Sequence, residues 1–301
     1  MNDVALLLVA HGTPDSIDQI PAFLNNIRRG RPTPAEIVEE VQRRYTAIGG
    51  RSPLVDTTRQ QAELLSGRIG LPCFVAMRMW HPYMHEVLEQ AAAQGVRKLV
   101  SVVMAPHSAF VYEQVLRESA AKLAANGTPV PELVVAPCIG SEPALLDAFA
   151  SLIRDQLSAL DPRELARTVL IPSAHSLPMR VVEAGDPYPT LVAETAQGVI
   201  ARLGNDALPA IQAFQSQGFT GEPWLGPDLP TVFQRAKQTG ATSVLVAPVG
   251  FLAEHVETLY DLDIEAKAIA AEQGLVFRRT PCPGTHSGLI DALEAVVRKL
   301  L

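Results

Sequence analysis

Cysteine is scarce in this chain. Cys73, Cys138 and Cys282 are the only three in 301 residues, they are widely scattered, and no two form a CxxC pair. That argues against disulfides, a thiolate-bound zinc or an iron–sulfur centre, and for reduced thiols. No apolar run approaches the roughly 18 to 20 residues of a membrane span. The opening MNDVALLLVAHG has neither a basic leader nor a cleavage site, so a cytoplasmic protein with no transmembrane segment is expected. Basic residues are outnumbered, 25 Lys and Arg against 32 Asp and Glu, for a net charge of -7. Nucleic acid is therefore not an expected partner, because phosphate affinity needs a basic face. No GxGxxG follows the first apolar run, which sets aside the dinucleotide-binding dehydrogenases. What is present is 48% hydrophobic and 19% charged, the balance of a globular chain long enough for one large domain or two ordinary ones.

Strand-like runs fall at 4–10, 72–77, 99–105, 132–138, 167–173, 208–214, 243–249 and 275–279, with helical patterns between them. Three of the helical patterns stop at Gly95, Gly127 and Gly240, where a left-handed residue is wanted. Strands alternating with helices predict α/β architecture with doubly wound parallel sheets, and strands rich in Val, Leu and Ile suit burial on both faces. The eight strands form two sets of four that echo each other. LLLVAHGTP answers TVLIPSAHSLP, and SVVMAPHSAF answers SVLVAPVGFLAEH. The expectation is a duplication: two similar Rossmann-like halves, 1–150 and 151–301, each with a four-stranded parallel sheet. Open sheets of this kind bind ligands beyond the C-terminal strand ends. His11, His107, His175 and His255 all lie at or just after such ends.

In GFLAEHVETLYDLDIEAK, residues 250–267, a helix from about His255 would line up Glu257, Asp261 and Glu265 at four-residue intervals. Like charges at that spacing weaken a helix slightly, so a solvated acidic face competes with a path for a divalent cation. Imidazole and carboxylate together suit a borderline first-row metal such as Fe(II). His81 and His85 have the spacing of a metal pair but no third ligand nearby, and Gly49, Gly50 and Gly218 are expected to serve turn geometry.

Five segments in order, RYTAIGGRSPL (44–54), SAHSLP (173–178), GDPYP (185–189), FQSQGFTGEPWLGPD (214–228) and VGFLAEHVETLYDLD (249–263), make the sequence resemble the ferrochelatases. These enzymes insert Fe(II) into a porphyrin late in haem synthesis, and the bacterial coproporphyrin III enzymes are the most similar branch. The resemblance implies a class II chelatase-like fold, the two halves enclosing a porphyrin cleft. It implies catalytic and metal-contacting roles for His175 and Glu257, and a metal path at Asp261 and Glu265. Arg28, Arg29, Arg31, Arg44, Tyr45 and Ser52 fall in segments that resemble propionate-binding parts, and Trp224 and Trp80 are candidate cleft residues. His11 departs from the branch, which commonly carries tyrosine there, and is a candidate axial iron ligand. Where some members carry a basic residue and a histidine, this chain has Arg78 and Met79.

The function implied is insertion of Fe(II) into coproporphyrin III, giving coprohaem III and two protons. Insertion into protoporphyrin IX is the alternative, and a sirohydrochlorin or cobalt chelatase, or a module that only binds a tetrapyrrole, stands further off. Iron is then a substrate, and no cofactor is permanently bound. Some relatives hold a [2Fe-2S] cluster, which three cysteines cannot supply. A monomer is expected, with transient contacts to the preceding or following enzyme of haem synthesis.

Overall fold

A computed structural model of the chain describes residues 3–218 and 221–301. Contacts divide it into two compact units, one of Met1–Ile139 with Gly284–Leu301 and one of Gly140–Pro283. The boundary expected at 150/151 thus moves to 139/140, and the last segment returns to the first unit.

The first unit is built on β1 (Val4–Ala10), β2 (Cys73–Met77), β3 (Lys98–Val103) and β4 (Glu132–Val135), ordered β2-β1-β3-β4 and parallel throughout. The central strand VALLLVA is apolar without alternation because both its faces are covered. Ala5, Leu7 and Val9 share one core with Met84, Val87, Leu88 and Ala91 of helix Met84–Ala93 and with Tyr112 and Leu116 of helix Ala109–Ala125. Leu6 and Leu8 are equally buried, and strand alternation turns them the other way. That second face is covered by helix Leu54–Ile69 and by the last helix, Ser287–Arg298. The last helix buries Leu289, Ile290, Leu293, Val296 and Val297, and Arg68 ties the two helices through Asp291 and Glu294. This is why the C-terminus belongs to the first unit: without it an apolar sheet face would be open.

The second unit repeats the plan. Its strands β5 (Thr168–His175), β6 (Ala213–Gln215), β7 (Ser243–Ala247) and β8 (Val276–Arg279) are ordered β6-β5-β7-β8, again all parallel. Val169, Ile171, Val244 and Val246 pack with Leu229, Val232 and Phe233 and with Leu262, Ala266 and Ala270. Helices Pro143–Leu157 and Tyr188–Leu203 pack on each other, so closely that a Cβ on Gly198 would lie 2.8 Å from Leu146. The expected duplication is therefore present in strand order as well as in sequence.

All eight strands overlap the expected runs; β3, β4 and β7 end two or three residues early, and β6 and β5 differ in ways that have a physical reason or a consequence for the site. The run 208–214 pairs regularly only from Ala213. Pro209 has no N–H for a ladder, and before Ala213 there is a single bridge, Ala210 to Leu170. β5 extends two residues beyond the expected end, so His175 is its last residue and pairs with Gln215. Gly95, Gly127 and Gly240 all take positive φ. Each lies in a Schellman turn, as in Val96 N–H to Ala91 C=O (3.1 Å) with Gly95 N–H to Ala92 C=O (2.9 Å). Among the described residues no helix is long and apolar enough to cross a membrane.

Candidate active site

Two strand ends of the second unit meet at His175. Its carbonyl accepts the Tyr188 hydroxyl at 2.8 Å, and Nδ1 faces the Ser176 carbonyl. A carbonyl only accepts, so Nδ1 carries a proton and Nε2 is the nitrogen that exchanges one. Nε2 lies 3.5 Å from Glu257 Oε1.

Glu257 reaches that position because the chain leaving β7 crosses close over β5. Gly250 N–H donates to Ser173 C=O at 3.1 Å, and a Cβ on Gly250 would stand 2.7 Å from the Ala174 Cβ. The loop then turns at His255, whose N–H donates to Thr258 Oγ1 at 3.0 Å and starts the short helix Val256–Leu259. His255 Nε2 is 3.2 Å from Glu257 Oε2, so the carboxylate sits between two imidazoles. Burial alone would lower the His175 pKa, but the Glu257 charge and hydrogen bond, the Ser176 carbonyl and Asp261 together raise it to about 9. Burial would likewise raise the Glu257 pKa, and the two histidines hold it well below the ordinary carboxylate value. The resting pair is imidazolium and carboxylate, not the neutral histidine that an ordinary pKa near 6.5 would give.

The helix expected from His255 does not continue as an α-helix. Asp261–Ala266 is a π-helix, in which Glu265 N–H reaches back five residues to Tyr260 C=O at 3.0 Å, and α geometry resumes at Lys267–Glu272. Such wide turns recur at functional sites. Asp261 is 6% exposed and accepts a 2.5 Å hydrogen bond from Ser216, whereas Glu265 is exposed. The other two carboxylates of this stretch are engaged by the half-buried Arg279. Asp263 binds it through two 2.7 Å bonds, and Glu254 does so at 2.9 and 3.2 Å. Burial would raise the Glu254 pKa; Arg279 and neighbouring donors lower it.

Gln215 joins the two halves of the site. Its Oε1 accepts from Ser173 at 2.8 Å and its Nε2 donates to the Glu257 carbonyl at 3.1 Å. Trp224 lies beside His175 with ring centroids 6.5 Å apart. Gly218 serves this ring and not a turn: its φ is not positive, and a Cβ there would lie 2.7 Å from Trp224 Cζ2. Phe219 and Thr220 of the same motif lie outside the described residues. Sequence reasoning missed Tyr188, Gln215, Ser216 and Arg279. Only the first three fell inside a recognised segment.

The remaining candidates belong to the first unit. His11 follows β1, half-buried, with Nδ1 3.5 Å from the Tyr112 hydroxyl and Phe23 edge-on. Gly12 beside it has φ +88, and a Cβ would meet Met77 Cβ at 2.8 Å. Arg78 stacks over Tyr112 at 5.1 Å. Arg28 is half-buried, while Arg29 and Arg31 are exposed in the turn after helix Ile20–Ile27. Arg44 is held by Glu40 at 2.7 Å. Tyr45 and Ser52 are 1% and 4% exposed, the serine hydroxyl accepting from Leu54 N–H at 3.3 Å. His107 is buried, and desolvation lowers its pKa to about 4, so it is a neutral interior histidine. Trp80 is 7% exposed and packs on Phe23. His81 pairs with Glu86 at 3.0 Å and His85 stacks on Tyr83, so their spacing serves packing. Among the described residues no group of three or more His, Cys, Asp or Glu is arranged as a resident metal centre.

The family model for ferrochelatase matches residues 3–301. The coproporphyrin III ferrochelatase of Geobacillus kaustophilus (strain HTA426) is 37% identical over 302 residues, covering 98% of this chain and 95% of its own. A ferrochelatase of Acidobacterium capsulatum is 37% identical over 306 residues, covering 97% of this chain and 92% of its own. Among solved structures, SirB from Bacillus subtilis with Fe3+ is similar in fold, with a TM-score of 0.61, 17% identity, and coverage of 99% of this chain and 95% of that one. A family match over residues 3–301, with relatives of that name at 37% identity over nearly the whole chain, places this chain in the ferrochelatase family, the metal chelatases of haem synthesis.

Proposed function

We propose that this chain inserts Fe(II) into coproporphyrin III, giving coprohaem III and releasing two protons, with His175 and Glu257 as its catalytic residues. The observation that carries the substrate assignment is similarity of 34 to 37% over nearly the whole chain to several coproporphyrin III ferrochelatases. Relatives named only as ferrochelatases match comparably well, which keeps protoporphyrin IX as the second reading.

The imidazolium–carboxylate pair supports a proton-coupled reaction. While His175 is protonated it can neither ligate iron nor take a pyrrole proton. An arriving divalent cation favours Glu257 as a bare carboxylate and disfavours the neighbouring imidazolium, so His175 releases its proton through Nε2. The neutral imidazole then accepts a proton from the porphyrin as iron enters the ring, and the cycle repeats for the second. Exposed Glu265 and buried Asp261 form the path by which iron reaches Glu257. Trp224 gives the ring an aromatic surface beside His175.

Coproporphyrin carries four propionates, and Arg28, Arg29 and Arg31 are the forks assigned to them. Arg44, Tyr45 and Ser52 are assigned to the same carboxylate-binding set, the last two being buried. His11 Nε2 is the nitrogen assigned to iron in the product, Nδ1 being turned to Tyr112. The enzyme works without a resident cofactor. Burial pushes the Cys73 thiol up to about 12 and raises the Cys282 thiol well above its ordinary value, so neither is a ready cluster ligand. We assign it to the cytoplasm as a monomer, in transient contact with the enzymes that supply its porphyrin or consume its product.

Anaerobic kcat/KM values for coproporphyrin III and protoporphyrin IX test the substrate assignment. A clear preference for coproporphyrin III is expected, and a clear preference for protoporphyrin IX overturns it. The spectrum of the coprohaem complex changes on His11→Ala if that residue ligates iron; an unchanged spectrum removes it from the ligand set.

A further inference from the structure

We propose that Gln215 is a positioning residue for metal insertion, its side chain and backbone together setting the distance between Glu257 and His175. This rests on the reading of Glu257 and His175 as the catalytic residues.

Strand alternation puts Val169, Ile171, Ser173 and His175 on one face of β5. The first two lie in the apolar core. On β6, Ala213 pairs with Ser173 and Gln215 with His175, so the Gln215 side chain leaves the sheet on that same face. Packing alone would be served there by apolar side chains, as at Val169 and Ile171, without the cost of desolvating an amide and a hydroxyl. Instead Ser173 and Gln215 are polar, and they are 0% and 4% exposed. The Ser173 hydroxyl donates to Gln215 Oε1 at 2.8 Å, which aims the amide, and Nε2 then donates to the Glu257 carbonyl at 3.1 Å.

The backbone of the same residue holds the histidine. Gln215 C=O accepts from Ser176 N–H at 2.7 Å, and the Ser176 carbonyl in turn faces His175 Nδ1. One buried residue therefore fixes both the segment that orients the imidazole and the backbone that carries the carboxylate, whose facing atoms are 3.5 Å apart. Glu257 needs such a hold. Val256–Leu259 is a single helical turn, too short to be rigid by itself, and it gives way to the π-helix from Asp261.

The test is anaerobic insertion of Fe(II) into coproporphyrin III at saturating substrates, with porphyrin affinity from fluorescence and thermal unfolding of each protein. The variants are Gln215→Met, Ser173→Ala, Glu257→Gln and Gln215→Met combined with Glu257→Gln. Val232→Ala, a core truncation on helix Leu229–Gln238 of the same unit, is the stability control. Gln215→Met keeps the length of the side chain and removes both of its hydrogen bonds. It should lower kcat about 10- to 100-fold, the scale of displacing a reacting group by about an ångström, with porphyrin affinity unchanged. Ser173→Ala leaves the amide present but unaimed and should lower kcat about two- to tenfold. In the Glu257→Gln background Gln215→Met should cost no further activity, because the group it positions is already gone. A kcat for Gln215→Met no lower than that of Val232→Ala, with insertion failing in Glu257→Gln, refutes the positioning role and leaves the catalytic assignment standing. An equal fold loss with and without Glu257→Gln also refutes it. If Gln215→Met is unfolded at the assay temperature, Ser173→Ala decides by the same comparisons, and a normal kcat there refutes the role. Normal insertion by Glu257→Gln removes the catalytic assignment, and the inference with it.

Discussion

Replacing Glu257 with Gln keeps the shape of the side chain and removes the charge between two imidazoles. Burial alone would push the His175 pKa below 6.5, and the Glu257 carboxylate 3.5 Å away is the foremost influence lifting it to about 9. Without that charge the imidazole pKa drops, with only the Ser176 carbonyl and Asp261 left to oppose burial. At ~1.4 kcal/mol per pKa unit, a rise from 6.5 to about 9 corresponds to roughly 3 kcal/mol. Both side chains are 32% exposed, so solvent screening reduces the net contribution to about 1–2 kcal/mol.

The sign follows from the two shifts. His175 is raised on folding, so its contribution is complete below 6.5 and is lost as pH rises through about 9. Glu257 is lowered, so its contribution is present above 4.5 and is lost on stronger acidification. Denaturant unfolding of the metal-free proteins should therefore show wild type more stable than Glu257→Gln by about 1–2 kcal/mol near pH ~6, with the gap closing near pH ~10. Proton NMR of the His175 ring should place its titration near 9 in wild type and clearly lower in the variant. A wild-type ring titrating at its ordinary value, or one unmoved by Glu257→Gln, would refute the ion-pair account.

Two further substitutions probe how the site is held. Arg279→Gln strands the Glu254 and Asp263 carboxylates around a position 11% exposed and should cost about 3–5 kcal/mol in denaturant unfolding. Adding Asp263→Asn should recover part of the loss, and a single variant as stable as wild type contradicts the assignment. Gly250→Ala places a methyl 2.7 Å from the Ala174 Cβ and 2.8 Å from its Cα, so unfolding should show a loss of about 1–3 kcal/mol together with impaired insertion. Unchanged stability and activity would mean that the crossing of this loop over β5 is looser than its geometry.

Much of the fold was legible because its signals are local. VALLLVA has no alternation and could only be a strand covered on both faces, and Gly95, Gly127 and Gly240 end helices for a reason contained in a single residue. The allegiance of the last helix was not legible. Leu289, Leu293 and Val296 announce a face to be buried but not the partner, which is supplied by Leu54–Ile69. The π-helix also left no mark in composition. Glu257, Asp261 and Glu265 read as one face of an α-helix, and only the hydrogen bond from Glu265 to Tyr260 reveals the wider turn. His175 and Glu257 came from their motifs, whereas Gln215 and Ser216 find their partners 42 and 45 residues away. The raised pKa of His175 was hidden for the same reason, since an ordinary histidine value presumes no carboxylate beside it.

The central claim, that His175 carries the proton chemistry of metal insertion and not the binding of the ring, is tested most directly by one titration. Coproporphyrin III fluorescence is followed anaerobically with wild type and His175→Ala, before and after addition of Fe(II), so that binding and insertion are read from the same sample. The account predicts that the variant still binds the porphyrin, because affinity comes largely from the ring and its carboxylates, while insertion falls by about 10²–10⁴-fold, the range of a lost general base. Insertion by His175→Ala within a few-fold of wild type would contradict it.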